Sequence, residues 1–194
     1  TQPKFMGLAL FFAMNVSVSA LVARRRGEKN QRSANQILLV AILFVIVATV
    51  VISLACVMWA NEIINFCGSA PETHEPAVIY YRIIMGCMIF NVLSMVINAA
   101  QRGSGNTMIA MRTNIVSNVV NIIANYLLIQ GHLGFPALGI AGAAIATVFG
   151  TVIACIMSFA SLFRRDGFVS IYYIMEQQIR PALEPVISII KLGF

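Results

Sequence analysis

"NIVSNVVNIIANYLLI", residues 114–129, reads as hydrocarbon interrupted at regular intervals by carboxamides. Asn114, Asn118, Asn121 and Asn125 follow one another in steps of four, three and four. On a helix turning 100° per residue they fall within about 60° of each other, along about 16 Å of axis. That is roughly half the hydrocarbon depth of a bilayer. An amide facing acyl chains has no partner and costs several kcal/mol. The stretch therefore reads as a membrane helix with one face turned to other helices or to water.

The rest of the chain agrees with a membrane setting. It has 194 residues, of which 59% are hydrophobic and 10% charged, where a soluble domain carries about one quarter charged residues. Five apolar runs, 6–23, 37–60, 77–100, 109–130 and 137–163, are each long enough to cross as a helix, and none alternates as a barrel strand would. The expected fold is all-α, a polytopic transmembrane bundle. Residues 1–165 hold the spans, and 166–194 form a cytoplasmic linker.

Orientation follows from the basic residues. The segments 24–32, 101–108 and 164–180 carry Arg24, Arg25, Arg26, Lys29, Arg32, Arg102, Arg164 and Arg165, whereas 61–76 and 131–136 contain no Lys or Arg. The basic loops are expected to be cytoplasmic, so the first span runs inward and a helix is expected before it. The same rule accounts for the net charge of +6, and nucleic acid is not an expected partner. Arg82 and Arg112 lie near span ends, from which their side chains can reach the interface. Cys56, Cys67, Cys87 and Cys155 form no CxxC pair and read as small packing residues. The first apolar run ends in a basic cluster rather than a small-residue cleavage site, so it is not read as a signal peptide.

Other spans carry polar faces as well. Asn91, Ser94 and Asn98 share one face of the third span, and Asn15 and Ser19 one face of the first. Interhelical glue is one reading of such amides. Four on one helix, matched elsewhere, favour a hydrated cavity on which the first, third and fourth spans converge. The second span, solidly aliphatic apart from Thr49 and Ser53, is expected to face lipid most. In the fifth, Gly142, Ala146 and Gly150 recur every four residues, a row that lets helix backbones approach closely. The five runs contain no Asp or Glu, so these spans offer a cation only amide, hydroxyl and backbone oxygens.

Three segments, "RGSGNT" (102–107), "NIIANYLLI" (121–129) and "GIAGAAIAT" (139–147), resemble the MATE (multidrug and toxic compound extrusion) transporters. The resemblance covers nearly the whole chain and is strongest over 98–150. It implies five spans, helices two to six, of a six-helix N-terminal lobe in a twelve-helix protein. An aspartate-bearing first helix and a C-terminal lobe of the same polypeptide complete that fold. It also implies a cation site in which Asn121, Asn125 and Thr147 are candidate Na⁺ ligands. Asn125 stands where the family has an acid, which removes a charge. The implied function is a Na⁺- or H⁺-coupled antiporter, not an enzyme. It would export small cationic, amphiphilic compounds across the cytoplasmic membrane by alternating access, with no cofactor beyond the coupling ion. Asn91, Asn98, Asn114 and Asn118 join the candidate cavity. A lipid-linked saccharide flippase and a non-transport membrane subunit are the competing readings.

Overall fold

A computed structural model describes residues 2–66, 71–130, 139–163 and 167–179. Among them the chain forms eight helices: α1 (Gln2–Gly27), α2 (Gln31–Met58), α3 (Ala60–Phe66), α4 (Pro71–Gly86), α5 (Met88–Gly103), α6 (Thr107–Gln130), α7 (Gly139–Leu162) and α8 (Ile171–Glu176). The outer loop 131–136, Arg164, Arg165, Cys67 and the tail from 180 onward lie outside the described residues.

Local chemistry sets the ends of these helices. Asn30 caps α2 by accepting a hydrogen bond from the Ser33 amide at 3.0 Å. Three C-termini close with one device, in which a left-handed residue lets the next amide reach back five positions. Lys29 (φ 54°) allows Asn30 N–H to donate to Arg25 O at 2.9 Å, and Gly105 (φ 79°) does the same for Asn106 and Gln101 O at 2.8 Å. Gln178 (φ 45°) repeats it for Ile179 and Ile174 O at 3.1 Å. Arg24, Arg25 and Arg26 occupy the last turn of α1, where the helix dipole favours cations. Glu28 pairs with Arg25 at 2.6 Å and Arg24 at 3.1 Å, and these bonds hold its carboxyl below the usual range.

The third apolar run is two helices rather than one. α4 and α5 meet at 46° across Cys87, next to Gly86. A glycine lacks the side chain that would stiffen a helix there, and a break leaves backbone groups in need of partners. Ser53 of α2 supplies one, donating its hydroxyl to Met85 O at 2.6 Å. Taken alone, α2 and α7 are long and apolar enough to cross a membrane, and the α4–α5 pair is so as a broken span. α1 and α6 have comparable length, 26 and 24 residues, but carry basic residues and carboxamides.

α5 is the hub. Val92, Val96, Ile97, Ala99 and Ala100 are fully buried, packed with Val18 and Val22 of α1 and with Leu38, Ala41 and Val45 of α2. Gly103 brings α5 so close to α1 that an added Cβ would meet the Ser19 carbonyl. α7 joins this core through Cys155 and Leu162, and α6 contributes no residue to it. Ala110 and Thr113 are the buried residues of α6, which lies mainly along α7. The inner half of α2, Ala34 to Val45, is largely buried, while α6 is the uncovered helix.

Candidate substrate-facing surface

Two carboxamide stripes recognisable in the sequence meet different surroundings. On α5, Ser94 and Asn98 are buried against α7. The Ser94 and Ser158 hydroxyls lie 3.1 Å apart, Asn98 Nδ2 donates to Ser94 Oγ at 3.3 Å, and Ser158 Oγ donates to Asn98 Oδ1 at 3.3 Å. One turn inward, Gln101 Nε2 donates to Ser161 Oγ at 3.2 Å, and Ser161 Oγ donates to Ser158 O at 2.6 Å. Each polar group answers another, so this is a closed knot that ties α5 to α7.

On α6 the stripe faces outward. Asn114 and Asn118 are exposed, and Asn121 and Asn125 are half-buried, with Asn125 Nδ2 donating to Asn121 Oδ1 at 2.9 Å. α7 fixes this aspect. A Cβ at Gly142 would stand 2.5 Å from Leu128 O, and one at Gly150 would stand 3.0 Å from Ser117 O and 3.2 Å from the Asn121 Cβ. Ser117 Oγ adds a bond to Gly150 O at 2.8 Å, and Ala146 between the glycines is fully buried. The small-residue row thus lies against one flank of α6, and the asparagines stand along the edge of that seam.

Among the described residues, the polar groups of the first, third and fourth spans meet different partners. The Asn15 oxygen accepts from Arg102 Nη2 at 2.6 Å, which ties α1 to α5. Asn91 instead lines a small pocket of about 20 Å³ at the α4–α5 break, with Met85, Cys87, Thr147 and Thr151. That is room for about one water. Neither Asn121 nor Asn125 lines it. Thr147 Oγ1 donates to Ala143 O at 2.9 Å, within its own helix. Of the three candidate Na⁺ ligands, Asn121 and Asn125 are joined to each other on α6, and Thr147 on α7 lines the small pocket with Asn91. Together they offer a cation neutral oxygens and no charge, and among the described residues no cluster of three His, Cys, Asp or Glu side chains is present.

The basic segments 24–32 and 101–108 gather at one end of the bundle. Arg26 donates to Ser104 O, joining the α1–α2 turn to the α5–α6 turn. Asn35, fully buried near the start of α2, donates to Phe168 O at 3.0 Å and accepts from Ser170 N–H at 2.8 Å. Ser170 Oγ donates to Leu162 O at 2.9 Å, and Val169, Ile174 and Ile179 are buried. The segment after α7 is thus packed into the bundle around a six-residue helix.

A sequence profile of the MatE family matches residues 4–127. The chain belongs to the MatE family. Among its relatives is a probable multidrug resistance protein, YoeA, of Bacillus subtilis, 25% identical over 189 residues, covering 97% of this chain and 41% of that protein. A probable multidrug resistance protein NorM of Rhizobium meliloti is 32% identical over 133 residues, covering 68% of this chain and 28% of the relative. Among solved structures, an inward-facing multidrug resistance MATE family transporter superposes with a TM-score of 0.87 at 26% identity, over 98% of this chain and 42% of that one. An outward-facing structure of such a transporter gives the same TM-score and identity, over 98% and 41%. The chain spans about two fifths of the length of YoeA and of the two solved transporters. As a MATE chain it is an integral membrane protein built as an all-α bundle.

Proposed function

We propose that the chain forms helices two to six of the N-terminal lobe of a multidrug exporter. That exporter moves cationic amphiphiles out of the cell, driven by an inward Na⁺ or H⁺ gradient, by alternating access, with the basic end of the bundle in the cytoplasm. The carrying observation is the open asparagine stripe on α6. A dry membrane face would leave Asn114 and Asn118 without partners, whereas a water-filled cleft between two lobes hydrates them. The equal likeness to inward- and outward-facing relatives, 0.87 in each case, supports a lobe that keeps its internal packing while the cleft changes sides. A non-transport subunit held together by amide glue accounts for the α5 knot but not for the exposed α6 stripe.

In this reading Asn121 and Asn125 bind substrate or the coupling ion through carboxamide oxygens, and the titratable group is supplied by another part of the polypeptide. Ethidium efflux from cells expressing the protein with its flanking gene sequence tests this. The double change Asn121→Ala and Asn125→Ala is expected to slow efflux about fivefold or more at equal expression, the equivalent of about one net hydrogen bond. Unchanged efflux would remove the pair from the mechanism.

A further inference from the structure

The outer side of the α5–α6–α7 group holds two adjoining hollows that the transport reading does not use. One, of about 560 Å³, is a groove between α5 and α7 walled by Phe90, Leu93, Val152, Ile156, Phe159 and Phe163. The other, of about 240 Å³, lies between the inner ends of α6 and α7, and Ile109, Arg112, Thr113, Met157, Ala160 and Ser161 line it. Ala160, exposed between them, is a wall of both. From Val152 to Phe163 the groove follows about 16 Å of helix, the hydrocarbon depth of about one leaflet. Arg112, exposed and without a hydrogen bond or ion pair among the described residues, lines the second hollow, which the groove adjoins at Ala160. A guanidinium near the depth of the headgroups, beside buried hydroxyl-bearing residues and above a channel of aromatic and aliphatic walls, matches one ligand chemistry. It is a phosphate diester that carries acyl chains.

We infer that this surface is a binding site for an anionic phospholipid of the cytoplasmic leaflet, with Arg112 holding the headgroup phosphate and the α5–α7 groove holding an acyl chain. The placement in that leaflet rests on the orientation proposed above. The pairing itself rests on charge complementarity, because Arg112 is the charged side chain in a hollow otherwise lined by apolar and hydroxyl-bearing residues, and a guanidinium there selects an anion. Arg112 then anchors the inner end of α6, the helix with the least protein around it, to the bilayer.

Native mass spectrometry of the detergent-purified protein, titrated with phosphatidylglycerol and separately with phosphatidylcholine, tests the site. The lipid readout is independent of transport and of leaflet, so a failed efflux prediction or a reversed topology leaves it interpretable. Phosphatidylglycerol is expected to bind about fivefold more tightly than phosphatidylcholine, a preference that Arg112→Gln removes and Arg112→Lys largely keeps. Ala160→Phe, which fills the shared wall without changing charge, is expected to weaken both lipids. Equal affinity for the two lipids, an unchanged preference in Arg112→Gln, or displacement of phosphatidylglycerol by excess inorganic phosphate would each overturn the proposal. So would the absence of lipid binding because another part of the polypeptide covers the groove.

Discussion

The stripe on α5 and the stripe on α6 are written in the same code, carboxamides at helical spacing, yet one is sealed and the other open. What separates them is the helix opposite. α7 presents Ser158 and Ser161 to α5, and the amides of Asn98 and Gln101 each find a hydroxyl. Towards α6 the same helix presents Gly142, Ala146 and Gly150, which bring the backbones together and offer no side-chain partner. A polar face in a membrane helix is therefore bonded or left open according to what its neighbour carries. The face alone does not decide it.

That comparison can be broken at three points. The largest effect is expected from Gly142→Val, where the new side chain must enter the space of the Leu128 carbonyl. Overpacking of this kind costs about 3 kcal/mol at the upper end of its usual range, measured as resistance to unfolding in SDS. Loss of that close approach would also turn the α6 stripe away from its present aspect. Next comes Asn98→Ala, which strips two bonds from the α5 knot and is expected to cost about 1 kcal/mol in the same assay, in line with interhelical bonds of about 0.6–1.7 kcal/mol. Asn118→Ala, on the open stripe, is expected to stay within about 0.5 kcal/mol of the parent. A large loss there would mean that α6 asparagines hold the fold together, and the contrast would disappear.

Much of this architecture is legible in the sequence because bilayers impose simple rules. The apolar runs became helices with ends shifted by a few residues, and the basic segments 24–32 and 101–108 lie at one end, joined by the Arg26–Ser104 bond. What escaped has physical reasons. Gly86 in an apolar run changes no periodicity, and the break after it depends on a hydroxyl from a distant helix, Ser53. The buried role of Asn35 was hidden because it stands at the polar edge of its run. Ser158 and Ser161 were the missed half of the α5 knot, although their i, i+3 spacing facing an Asn–Gln pair was a usable signal. The burial of the inner half of α2 was not legible, because lipid and protein interior are equally apolar and hydropathy does not separate them.

The contrast between the stripes is tested most directly by thiol accessibility in membrane vesicles. In a background where Cys56, Cys67, Cys87 and Cys155 are replaced by Ala, Asn118→Cys and Asn98→Cys are each treated with a charged, water-soluble maleimide. Position 118 is expected to react and position 98 to stay unmodified until the protein is denatured. A protected position 118, or a position 98 that reacts as fast, would contradict an open face on α6 beside a sealed one on α5.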